Sequence, residues 1–272
     1  MEAVLAGLFG LLIGSFLNVC IYRMPRDLSV VKPRSHCPGC KQPIAFYDNI
    51  PLLSYLLLRG KCRHCAAHIS LRYPLVEALT GLLFYLVIRV FGANPAGMKY
   101  CIFSAIQVAL LFTDLEERIL PDEFTLGGMF AGFGLAGLTP APGDVLSLFT
   151  SDGLNWRLRS VGESVLSGGV LSGTLWSIGA LYQKIRHREG LGFGDVKMAG
   201  TIGAFLGMGG ALFAIIAGSV LGSVCGLCFI WLTGKDSKTY ELPFGSFLAI
   251  GALLAMFQTA ALFGGGSALE LP

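Results

Sequence analysis

Two aspartates stand where apolar runs give way to charge: Asp114 in "FTDLEERILPDEF" and Asp195 in "GLGFGDVKMAG". A pair of facing carboxyl groups has a specific chemical use. Like charges held close cannot both ionise, so one group keeps its proton while the other stays a base. The base takes a proton from water and the acid donates to a scissile carbonyl oxygen, which is peptide hydrolysis without a covalent intermediate. Gly190, Gly192 and Gly194 before Asp195 remove side chains and leave room for an extended substrate backbone. They also tolerate irregular chain at membrane depth where it lines a wet cavity. The plainer readings are that Asp195 caps a helix starting at Val196 and that Asp114 merely ends its helix at the water boundary. "GLGFGD" is no phosphate loop, because no Lys-Ser/Thr follows it and no βαβ unit surrounds it.

A second constellation precedes these. "CPGC" at Cys37 to Cys40 and "CRHC" at Cys62 to Cys65 are two CxxC pairs 21 residues apart, just beyond the usual spacing for a zinc motif. Four thiolates close a tetrahedral site at about 2.3 Å per Zn–S bond. Lys41, Arg59, Lys61 and Arg63 lie beside them and offset the negative charge of the site. So small a loop lacks the apolar area to fold alone, so the metal would supply its stability. Two disulfides or a redox pair are the rival reading, which a reducing cytoplasm disfavours. His36, His64 and His68 read as surrounding residues rather than ligands. Cys225 and Cys228, in "SVCGLCFIW", read as small buried packing residues, as do Cys20 and Cys101.

Other charged residues have ordinary explanations. Glu116, Glu117, Asp122 and Glu123 suit a solvated loop, with Asp122 a natural cap for the next helix. Lys197 lies near Asp195 and either biases that acid or reaches for the surface. Glu77 reads as a structural partner of Arg72 or another interfacial base.

The elements that must position these groups are helices in a bilayer. Hydrophobic residues make up 54% of the 272 and charged residues 14%, with a mean hydropathy of +0.67, which excludes an ordinary soluble domain. Crossing a bilayer takes roughly 20 apolar residues per helix. Such runs fall near residues 2–21, 75–91, 98–113, 123–138, 161–182, 196–209, 211–233 and 244–263, with only Gly209-Gly210 dividing the sixth from the seventh. The expected fold is an all-α polytopic membrane protein of about eight transmembrane helices with a small cytoplasmic tetracysteine zinc-binding domain. Its expected division is a first helix (1–21), the zinc-binding loop (22–74) and a helical catalytic domain (75–272).

Orientation follows from basic residues. The first run starts at Met1 without a basic leader, and Arg23 and Arg26 follow it, which argues for a retained helix with its N-terminus outside. Residues 22–74, 114–123, 183–197 and 234–243 hold 9, 1, 4 and 2 Lys or Arg, 16 of the 20, and are assigned to the cytoplasm. Arg89, Lys99, Arg157 and Arg159 fall outside, near loops 92–97 and 139–160. Asp114 and Asp195, 81 positions apart, then share one depth on the inner side. The net charge of +3 is a topology signal, not a nucleic-acid footprint, and no internal repeat stands out.

"GSFLNVCIYRMP" at 14–25, the two CxxC pairs, "YDNIPLLSYLLLRGKCRHC" at 47–65, "ISLRYPLVEALTG" at 69–81, "DLEERILPD" at 114–122 and "GFGDVKMAG" at 192–200 occur in this order. Together they resemble the type IV prepilin peptidases. The resemblance implies a bacterial inner-membrane aspartic protease of the GxGD type, with Gly192, Gly194 and Asp195 in that motif and Asp114 as the first catalytic acid. It implies cleavage of the basic leader from type IV prepilins and type II secretion pseudopilins at the cytoplasmic face. It also implies N-methylation of the new N-terminus with S-adenosylmethionine, whose binding residues the sequence does not identify. The four thiols place the chain with the longer, zinc-type bifunctional members. The alternative is a transporter whose intramembrane carboxylates bind a proton or cation, with a regulatory zinc loop. A thiol oxidoreductase would need a second redox pair, and none is evident.

Overall fold

The computed structural model describes residues 1–140, 145–146, 155–188, 191–233 and 242–263. Its order is α1 (Glu2–Arg23), α2 (Leu53–Leu57), α3 (Arg72–Phe91), α4 (Pro95–Glu117), α5 (Asp122–Ala136), α6 (Trp156–Arg186), α7 (Phe193–Thr233) and α8 (Phe244–Phe263). The all-α expectation holds, and the only β pairing among the described residues is two isolated bridges. The expected count of eight spans is not confirmed. Among the described residues five helices (α1, α3, α4, α6 and α7) are long and apolar enough to cross a membrane. α5 is 15 residues long, and the sixth and seventh expected runs form α7. α7 is broken within itself at Gly207, whose φ of 69° and ψ of −179° suit glycine alone, rather than at Gly209-Gly210. Residues 234–241 and most of 139–160 lie outside the described residues.

The chain forms two compact units, residues 1–109 and 110–272. In the first, α1 packs on α3 by close backbone approach, since lipid offers helices no hydrophobic drive to associate. A Cβ on Gly14 would lie 2.7 Å from Glu77 Cα, and one on Gly10 2.8 Å from Phe84 Cβ. Glycines four apart on one face supply that contact. α3 ends at Gly92 and α4 restarts at Pro95, with Asn94 Oδ1 accepting the Gly97 N–H at 3.0 Å. Lys99 is buried within α4, its Nζ 5.7 Å from the Tyr100 ring.

In the second unit, side-chain hydroxyls tie helices together. Ser164 of α6 donates to Ala204 O of α7 at 2.6 Å, and Thr201 of α7 donates to Thr125 O of α5 at 2.6 Å. Such bonds contribute about 0.6 kcal/mol each in membrane proteins and fix which faces meet. A Cβ on Gly218 of α7 would lie 2.9 Å from Leu248 Cα of α8. α7 thus packs on α5, α6 and α8.

Candidate functional site

The loop between α1 and α3 is clamped at its start by Arg23, whose guanidinium donates to Ser29 O and Pro33 O, both at 2.8 Å. Beyond it, two turns repeat one design. Cys37 N–H donates to Gln42 O and Lys41 N–H to Cys37 O; Cys62 N–H donates to Ala67 O and Ala66 N–H to Cys62 O. Lys41 and Ala66, each just after the second cysteine of its pair, share positive φ of 57° and 56°. This short repeat is invisible in the sequence because it lives in backbone geometry, not residue identity.

The repeat brings all four Sγ atoms within 4.8 Å of one another. Tetrahedral zinc with bonds of about 2.3 Å requires S···S separations of about 3.8 Å, and Cys37 and Cys65 stand at 3.7 Å. Disulfides are excluded by that spacing, which is well beyond a bond of about 2.05 Å. The four thiols therefore fit a metal ion, and no histidine joins the cluster among the described residues. Backbone N–H groups of Cys65 and His64 hold the Cys62 thiol down at about 6, favouring the thiolate. Arg63 is committed elsewhere, gripping Asp48 through Nε at 2.9 Å and Nη2 at 2.6 Å and holding its carboxyl below the usual range.

Asp114 and Asp195 both lie in the second unit. Asp114, in the last turn of α4, is buried, and Ser246 at the start of α8 grips its Oδ2 twice. The Ser246 N–H donates at 2.6 Å and the Ser246 hydroxyl at 2.8 Å. Ser246 is the site residue that sequence reading missed, because a serine 132 positions away carries no local sign of its target. Gly245 keeps the acid's surroundings open, since a Cβ there would press on Asp114 Cγ and Leu120 Cδ1, both at 3.1 Å.

Leu120 links the two acids. A Cβ on Gly194 would meet Leu120 Cβ and Cδ1 at 3.1 Å, so the same leucine packs on the neighbours of Asp195 and of Ser246. The space expected for substrate beside Gly194 is thus filled by Leu120, and a Cβ on Gly192 would lie 3.2 Å from Asp195 Oδ2. Gly190 lies outside the described residues. Through Leu120 the neighbours of both acids share one packed contact.

Several plainer readings change. α7 begins at Phe193, so Asp195 sits in its first turn rather than at the cap position, and its carboxyl reaches back to the Gly192 N–H. Asp122 does not cap α5, which has Pro121 there and no side-chain cap. It pairs instead with Lys197 Nζ, which takes that lysine's charge to Asp122. Glu77 Oε2 accepts the Leu52 N–H at 2.9 Å. Cys20 and Cys101 are buried as expected, but Cys225 and Cys228 are exposed on α7, where an apolar face turned to lipid has no need of cover. Trp176, Gly179, Ala180, Gln183, Leu191, Phe193 and Val196 line a cavity of about 180 Å³ beside the start of α7.

With this geometry in place, comparisons with known proteins decide the family. The model of the "Bacterial Peptidase A24 N-terminal domain" matches residues 8–91, and that of the "Type IV leader peptidase family" matches residues 101–227. The chain belongs to the type IV leader peptidase family. Among relatives, a "Prepilin leader peptidase/N-methyltransferase" of Myxococcus xanthus is 39% identical over 88% of this chain and 66% of its own length. One of the same name from Aeromonas hydrophila is 35% identical over 92% of this chain and 88% of its own. A "Type 4 prepilin-like proteins leader peptide-processing enzyme" of Escherichia coli is 35% identical over 94% of each chain. No solved structure matches. Within this leader peptidase, the family boundary near residue 100 falls inside the α3–α4 region, so thiols and carboxyls belong to separate family domains.

Proposed function

We propose that this chain is a multi-pass inner-membrane aspartic endopeptidase that removes the leader from type IV prepilins and type II secretion pseudopilins, with Asp114 and Asp195 as its catalytic pair. The observation that carries the reading is the convergence of the two acids around Leu120, with Ser246 holding one oxygen of Asp114. An oxygen accepting two donors has no place for a proton. The proton shared by the pair therefore sits on Asp114 Oδ1 or on Asp195, the atoms left to face water and the scissile carbonyl.

Cys37, Cys40, Cys62 and Cys65 hold zinc, whose role is structural, because four thiolates leave no open position for water. The zinc loop spans 22–74 and, with both acids, faces the cytoplasm, while the N-terminus faces outward, as the distribution of Lys and Arg requires. S-adenosylmethionine enters as the second substrate, giving a methyl group to the amine that cleavage exposes. Family membership and the position of both acids at helix ends, not midway along them, disfavour a transporter.

The test is incubation of the purified protein with a prepilin, with and without S-adenosylmethionine, followed by mass spectrometry. Loss of the leader is expected in both samples and a gain of one methyl in the second only. Persistence of cleavage in Asp114→Asn or Asp195→Asn would refute the assignment of the pair.

A further inference from the structure

We propose that Asn18 and Glu77, one helical turn apart along the α1–α3 contact, bind the primary ammonium group that leader removal exposes and so form the acceptor site for methyl transfer. The proposal rests on the two-activity reading above and places the second activity in the first unit.

Three observations carry it. Asn18 is 2% exposed, and its Nδ2 donates to Tyr73 O at 3.0 Å and Gly14 O at 3.3 Å, which fixes the amide plane. Its Oδ1 is buried and accepts no hydrogen bond. Buried amide oxygens are rarely left so, and one that is points to a donor that arrives from elsewhere. Glu77, 8% exposed, lies across the contact where Gly14 admits the α3 backbone. The groups acting on its carboxyl are neutral donors, the Leu52 N–H and the Ser15 hydroxyl. Leu52 is itself held at φ 60° and ψ −47°, a conformation costly for a leucine, and in it delivers that N–H. Strain maintained around a buried carboxylate is characteristic of a prepared site.

The chemistry selects the ligand. A carboxylate and an amide oxygen are acceptors only, and a primary ammonium brings three donors and the opposite charge. A sulfonium centre has charge but no hydrogen to donate, so it leaves Asn18 Oδ1 unsatisfied; the α-ammonium of S-adenosylmethionine offers the same donors, and the binding comparison below separates it from the peptide amine. Asn18 lies five residues before the end of α1 and Glu77 five after the start of α3, about 8 Å from the helix ends. In transfer, the ammonium gives one proton to Glu77 and the nitrogen lone pair takes the methyl carbon. The C–S bond breaks with its electrons remaining on sulfur, and Glu77 later returns its proton to water. The products are a methylammonium and a neutral thioether.

The experiment measures binding of a synthetic peptide with the mature prepilin N-terminus, amine free or acetylated, to the full chain in detergent. Wild type is compared with Asn18→Leu and with Glu77→Gln, which keeps an oxygen for the Leu52 N–H. Wild type is expected to prefer the free amine by about tenfold or more, and each variant to lose most of that preference. Methylation is expected to fall about tenfold further than cleavage in both variants. An unchanged preference overturns the proposal. So does equal weakening for both peptides, which marks a structural role, or loss confined to S-adenosylhomocysteine binding, which assigns the pair to the donor. A wild type that cleaves no prepilin refutes the functional reading, while the peptide comparison still decides this one.

Discussion

Cys37 and Cys65, the outer members of the thiol cluster, are 28 positions apart, and two copies of one hydrogen-bonded turn suffice to bring them together. Asp114 and Ser246 are 132 positions apart and meet only because the last turn of α4 and the start of α8 come together in one unit. A short loop can be folded by its metal, since binding free energy becomes folding free energy. Two carboxyl groups that must approach against their own repulsion need a scaffold assembled in advance, and the interhelical hydroxyl bonds at Ser164 and Thr201 supply one. The proposed peptidase site thus depends on many distant residues, and the thiol cluster on a few near ones.

The sharpest way to break this contrast is at the acids. Asp114→Asn and Asp195→Asn are each expected to lower leader cleavage by about a thousandfold or more, the scale of lost general acid-base catalysis, with metal content unchanged. Mass spectrometry of the product and zinc analysis of the same sample report both quantities. Next in size is Cys62→Ser, which removes one thiolate of four. It is expected to lose the bound zinc and to open residues 22–74 to limited proteolysis, while the helices of the second unit keep their resistance. Zinc retained at wild-type stoichiometry would contradict the ligand assignment.

How legible these regions were differs for the same reason. The cysteines announced themselves because a metal site is written in residue type and spacing. Both aspartates were visible as charges at the edges of apolar runs, but Ser246 and Leu120 were not, since a serine and a leucine gain meaning only from what packs on them. Helix positions were readable from apolar runs. The division of the sixth run from the seventh was readable too, within two residues: the break falls at Gly207 and not at Gly209-Gly210, a choice among neighbouring glycines that the backbone alone makes.

Ser246 gives the prediction of intermediate size. Removing its hydroxyl in Ser246→Ala takes away one of two donors to Asp114 Oδ2 and leaves the backbone N–H. A hydrogen bond to a charged group contributes about 1.5–3 kcal/mol, so kcat is expected to fall about 10- to 100-fold. KM should stay unchanged, and Ser246→Thr, which restores a hydroxyl, should recover most of the loss. A change in KM alone would place Ser246 with substrate binding instead.

The smallest effect is expected at Lys197, and its smallness is informative. This lysine is two residues from Asp195, and by sequence it was a candidate to tune that acid. Its Nζ instead pairs with Asp122 at the start of α5. Exposed pairs of this kind contribute about 0–1 kcal/mol, because water competes for both charges. Lys197→Met should therefore leave kcat within about threefold and lower thermal stability slightly, as should Asp122→Asn. If Lys197→Met cut cleavage a hundredfold while Asp122→Asn did nothing, the lysine would belong to the acid pair. The catalytic site would then be a triad of charges rather than two carboxyls set by a serine.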